Sequence, residues 1–110
     1  MHNKQVGVKM KKTVELASKR KVELREMSID EVDFCQDLTE LKYSNGKITN
    51  MSGLAKTRTA WLRRGIKGGD FKSFKTDVNG YPADSVLKEL NEDEKNELAQ
   101  KIQEYQSLGE

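Results

Sequence analysis

The stretch that decides the fold is Lys12–Phe34, KTVELASKRKVELREMSIDEVDF. In its first half Val14 and Leu16 alternate with Thr13 and Glu15. After Ser18-Lys19-Arg20 the pattern resumes, with Val22 and Leu24 set against Glu23 and Arg25. Period two of this kind belongs to half-buried strands, so Lys12–Ala17 and Lys21–Met27 are expected to pair as a hairpin. The link lacks the Asn-Gly or Asp-Gly of a two-residue primed turn, which leaves the register open. At Ser28 the pattern changes. Ser28-Ile29-Asp30-Glu31 is a capping box, in which the Ser28 hydroxyl accepts from the Glu31 N–H and the Glu31 carboxylate accepts from the Ser28 N–H. Asp30, Glu31 and Asp33 place negative charge where the helix dipole favours it. Ile29, Val32, Phe34, Cys35, Leu38 and Leu41 then give the helix a broad apolar face, suited to lying across the hairpin.

Working outward, Tyr43–Thr49 contains Asn45-Gly46 and is expected to form a second, short hairpin. Ser52 is a candidate cap for a helix through Leu54, Ala55, Arg58, Trp61 and Leu62 that stops at Gly65. Residues 65–83 are punctuated by Gly65, Gly68-Gly69, Asn79-Gly80 and Pro82, and read as a long loop anchored by Ile66, Phe71, Phe74 and Val78. Asp84 or Ser85 is a candidate cap for a short turn bearing Val86, Leu87 and Leu90. Asn91-Glu92-Asp93-Glu94 is a second capping box, and Leu98, Ala99, Ile102 and Tyr105 follow at helical spacing. The expected class is α+β: an N-terminal β-hairpin packed on a capped helix, then a mostly helical C-terminal part. Residues 12–110 form one small domain, and residues 1–11 a flexible basic arm.

Leu, Ile, Val and Phe supply 24 of the 110 residues, against 35% charged residues, so the core is small and self-association is expected to help hold it. The net charge of +2 hides segregation. Residues 1–25 carry +6, residues 26–41 carry −6, residues 42–76 carry +8 and residues 77–110 carry −6. Such blocks either face each other within the fold or complement neighbouring chains. No apolar run reaches the length of a membrane span or a signal peptide, and a lone cysteine fits a reducing compartment.

Little in the sequence speaks for chemistry. His2, the single histidine, sits in the polar arm, away from any nucleophile or metal-ligand set. Cys35 lies on the apolar side of its helix and reads as a small core residue. Asp30/Asp33 and Glu94/Glu97 are accounted for by capping and solvation. Gly65–Asp70 lacks the terminal Lys-Ser/Thr of a phosphate-binding loop, and Asp77-Val78-Asn79-Gly80 lacks the ligand ladder of a calcium loop. The expectation is a non-enzymatic protein with neither metal nor cofactor. A polyanion-binding candidate remains in Lys56, Arg58, Arg63, Arg64 and Lys67, with Lys72 and Lys75 nearby and Trp61, Phe71 and Phe74 interleaved. Against it, Trp61 shares a stripe with Leu54 and Leu62, and the flanking acidic blocks would repel a polyanion.

Lys12–Phe34 resembles the opening of the tail assembly chaperones of long-tailed bacteriophages, where a short strand pair runs into a capped acidic helix. Thr59-Ala60-Trp61-Leu62, Leu87-Lys88-Glu89-Leu90-Asn91, Glu94 and Glu97-Leu98 are similar to that family's helical part and acidic C-terminal helix. The resemblance covers about two-thirds of the chain. It implies an assembly factor in the host cytoplasm that coats the helical tape-measure protein, keeps it soluble and helps recruit tail-tube subunits. Many members are made in two lengths by a ribosomal frameshift. It supplies no catalytic residues. Partner-binding candidates are Leu54, Trp61, Leu62, Leu98, Ile102 and Tyr105. The competing reading, stronger for Trp61 and Leu98, is that these side chains close the core. Two alternatives remain: a structural subunit of a phage head or tail, present in the virion, and a small nucleic-acid-binding accessory protein.

Overall fold

The computed structural model describes residues 13–42 and 51–108. The fold is α+β. Strands β1 (Thr13–Glu15) and β2 (Lys21–Leu24) form the expected antiparallel hairpin, with Val14 opposite Val22. The turn is a three-residue loop. The Lys19 N–H donates to the Leu16 carbonyl at 2.8 Å, and Lys19 takes the left-handed conformation, φ 79°, that such loops need before the second strand begins. Leu16, Val22 and Leu24 are buried, as the alternation requires.

Helix α1 (Ile29–Lys42) starts at the predicted capping box. The Ser28 N–H donates to Glu31 Oε1 at 2.8 Å, and the Glu31 N–H to Ser28 Oγ at 3.2 Å. Its packing partner is helix α2 (Met51–Gly65). The buried stripe of α1 is narrower than its sequence suggests. Cys35 is buried and Val32 and Leu38 are half-buried, but Ile29 is 79% and Phe34 47% exposed. Phe34 sits more than a quarter-turn from the line through Val32 and Cys35, which packs on the core, and Ile29 is the first residue of the helix, on the other side of that line. Ser52 lies inside α2, one residue past Met51, and so is not its cap.

The long loop expected at 65–83 is instead opened by a third strand. β3 (Ile66–Gly69) follows α2 without a break and pairs antiparallel to β2, giving the order β1-β2-β3. Alternation could not reveal this strand because two of its four residues have no side chain to alternate. The backbones explain the glycine at its end. Gly69 has φ 135°, and a Cβ there would stand 2.5 Å from the Lys21 carbonyl oxygen. The rest of the segment is tied down. Asp70 accepts from the Lys21 N–H at 2.9 Å, Thr76 bridges to Pro82, and the Asp77 carboxylate accepts from the N–H groups of Asn79 and Tyr81. Ile66 is buried and Phe71 and Phe74 pack against the core, whereas Val78, expected as an anchor, is fully exposed beside that turn.

Helix α3 (Asp84–Leu87) has Ala83 at its cap position with no side-chain hydrogen bond, so neither Asp84 nor Ser85 is the cap. Helix α4 (Glu92–Leu108) starts at the second predicted capping box. The Asn91 N–H donates to Glu94 Oε1 at 2.9 Å and the Glu94 N–H to Asn91 Oδ1 at 2.8 Å. α4 packs on α2 and is stitched along the hairpin from the Ser18 turn to Met27, whose N–H donates to Gln106 Oε1 at 2.9 Å. One core results, built from Leu16, Val22, Leu24, Trp61, Leu62, Ile66, Leu98, Ile102 and Tyr105, with Cys35 at its α1 side. The arm 1–11, the Tyr43–Thr49 hairpin and His2 lie outside the described residues.

Candidate interaction surface

Two charged clusters fix the elements around that core. In the first, Glu94 caps α4 with one oxygen while the other accepts from Ser18 Oγ at 2.6 Å and Arg20 Nε at 3.0 Å. Arg20 also donates to the carbonyls of Asp70 and Glu89, and its guanidinium lies over the Phe71 ring. Glu97 adds a bond from the Ala17 N–H. Burial opposes the Glu94 charge, but the bonds from Ser18, the Asn91 N–H and Arg20 outweigh it and hold the carboxyl below the usual range.

The second cluster closes the C-terminal end of α2. The Arg25 N–H donates to the Gly65 carbonyl at 2.9 Å, and Arg25 Nη1 donates to the Arg64 carbonyl and to Glu31 Oε1, both at 2.9 Å. Two carbonyls left over at the end of the helix are thus met, one by a backbone N–H and one by a guanidinium of the charge the dipole favours. The remaining oxygen of Glu31 accepts from the Tyr81 hydroxyl at 2.6 Å. Burial disfavours charge on Glu31, yet the bonds from Arg25, Tyr81 and the Ser28 N–H prevail and hold its carboxyl down to about 2. Arg64 lies over both the Phe34 ring, at 4.4 Å, and the Tyr81 ring, at 5.3 Å. Phe34, under the Arg64 guanidinium, lines one wall of a groove.

That groove runs between α1 and α2. It has a volume of about 430 Å³ and is lined by Phe34 and Leu38 on one side and Ala55, Thr59, Ala60 and the stems of Lys56, Arg63 and Arg64 on the other. Its floor is apolar and its α2 rim cationic. An exposed apolar groove with a charged rim is suited to the nonpolar stripe of a helix from another chain.

The partner-binding candidates from the sequence fall elsewhere. Trp61, Leu62, Leu98, Ile102 and Tyr105 are each at most 4% exposed and belong to the core, so the folded domain does not present them. The helical spacing that marked them reports burial against α2 and α4, which a partner face would mimic. Leu54 lies on α2, but its side chain is outside the described part. The polyanion candidates are divided. Arg58 is engaged by Glu92 and Asn96, Arg63 by Asp84 and the Pro82 carbonyl, and Arg64 by the two rings, while Lys56 and Lys67 are exposed. Burial pushes the Cys35 thiol up to about 11, with Glu31 adding and Arg64 opposing, so the thiolate is scarce at neutral pH. Among the described residues no cluster of His, Cys, Asp and Glu is placed to hold a metal, and no helix is long and apolar enough to cross a membrane.

Sequence reasoning missed Phe34, Arg25 and Tyr81. Phe34 carried a signal, since it falls off the Val32–Cys35 line. Tyr81 carried none, because its partner lies 50 residues away. Neither family models, curated proteins nor solved structures match the chain.

Proposed function

We propose that this protein is a non-enzymatic assembly factor that holds a helical partner in the α1–α2 groove. The partner expected is the tape-measure protein of a long-tailed phage, with the protein acting as a tail assembly chaperone that also aids tail-tube assembly. The observation that carries the reading is the groove itself: Phe34 and Leu38 offer apolar surface beside a cationic rim. The resemblance over Lys12–Phe34 supports the choice of partner, and that stretch builds the hairpin and the first turns of α1, including Phe34. The client site moves from the core residues read off the sequence to Phe34, Leu38 and Lys56.

The test is co-expression with fragments of the tape-measure protein. Fragments are expected to stay soluble with the unaltered chain and to precipitate with the Phe34→Ala variant. Precipitation that is the same with and without this protein defeats the reading. A structural role in the particle is separated by mass spectrometry of purified virions, where a chaperone is absent and a subunit abundant. For nucleic acid, Lys56→Ala with Lys67→Ala is the better test than changes at Arg63 and Arg64, which hold Asp84, Phe34 and Tyr81 in place.

A further inference from the structure

The α1–α2 face is segregated by charge. On α1, Asp30, Asp33 and Asp37 are exposed and form an i, i+3, i+7 stripe beside that of Phe34 and Leu38. On α2, Lys56 is exposed on the stripe of Thr59, Ala60 and Arg63. The groove's basic rim on α2 and the acidic stripe on the outer side of α1 therefore flank the same apolar floor. Two copies can join such faces about two kinds of two-fold axis. An axis across the helices stacks α1 on α1 and sets carboxylates against carboxylates. An axis along the groove stacks α1 of one copy on α2 of the other, so that each acidic rim meets a basic rim, and does so twice.

We infer that the α1–α2 face closes on a second copy of the chain in this second arrangement, and that a client helix displaces that copy. The displacement rests on the groove being the client site, as proposed above; the self-pairing does not. Phe34 and Leu38 are then covered when no client is present, which keeps an exposed apolar patch from nonspecific association. The charge pattern sets which helix meets which, and the shared floor makes the two occupants exclusive.

The experiment uses full-length chains in sedimentation equilibrium, with circular dichroism to confirm that each variant is folded. The unaltered chain is expected to be a dimer. The Asp33→Lys, Asp37→Lys chain and the Lys56→Glu chain are each expected to dimerise at least about tenfold more weakly, because each reversal strikes both symmetric contacts. Mixed together, these two chains are expected to form a heterodimer, since both contacts are then complementary. A monomeric unaltered chain overturns the inference, and so does a dimer indifferent to the charge reversals, or two weakened chains that do not recover on mixing. Adding a tape-measure fragment that the chain keeps soluble is expected to convert dimer to a one-to-one complex. A dimer that passes the mixing test while no fragment binds sinks the client reading alone. Fragment binding that leaves the dimer intact overturns the displacement.

Discussion

Arg20 donates through Nε to a carboxylate oxygen of Glu94 at 3.0 Å, although 74 residues separate them. The Glu94 side chain is only 7% exposed, and the same carboxylate caps α4. Glu94→Ala removes the cap, the Ser18 bond and the partner of a half-buried guanidinium together. It is expected to cost about 3 kcal/mol, read as a lowered urea midpoint with unchanged slope. Arg20→Lys is expected to recover little, because a lysine cannot reach Glu94, Asp70 and Glu89 at once.

Acid is expected to weaken the fold through Glu31. Its carboxyl sits at about 2 in the folded chain against an ordinary value of 4.5. The folded value is depressed, so the stabilisation is full above pH 4.5 and drains away as pH falls from there towards 2. Glu94 acts in the same direction. Urea midpoints measured between pH 6 and 2 check this, and Glu31→Gln is expected to flatten the profile. An unaltered profile in that variant would show that other carboxylates dominate.

Trp61 and Phe34 are expected to separate stability from binding. Trp61→Ala empties a buried site and is expected to cost about 3–5 kcal/mol. Phe34→Ala acts on a half-exposed ring and is expected to cost less than about 1.5 kcal/mol while removing client binding. Thermal melts give the first comparison and fragment solubilisation the second.

Gly65 ends α2 against Ile102 of α4. A Cβ at that position would collide with Ile102 Cγ2 and lie 2.9 Å from Cδ1, and Ile102 is fully buried with nowhere to turn. Gly65→Ala is expected to cost about 1–3 kcal/mol by chemical denaturation. Lys19→Gly is expected to do the opposite. Lys19 holds φ 79° in the hairpin turn, and glycine relieves that strain for a gain of about 0.5–1 kcal/mol.

What could be read from the sequence was local. Val14, Leu16, Val22 and Leu24 announced the hairpin by alternation, and Ser28/Glu31 and Asn91/Glu94 announced two helix starts at hydrogen-bonding distance along the chain. β3 stayed hidden because Gly68 and Gly69 carry no pattern and its pairing with β2 spans more than 40 residues. The groove was half legible. The stripe of α2 and α4 was found and left between core and partner face, with core the stronger reading for Trp61 and Leu98, while Phe34 was assigned to the buried face that Cys35 occupies. Spacing marks which side chains share a face. It does not tell which face finds a neighbour.

The order of elements along the chain has a consequence for synthesis. Leu16, Val22 and Leu24 leave the ribosome early, but β3 follows some 40 residues after β2, and Glu94 and Glu97 arrive later still. A nascent chain therefore carries its hairpin only partly covered until α4 emerges, and a product truncated near Leu90 never completes that core. Such fragments are expected to be rapid substrates for cellular proteases.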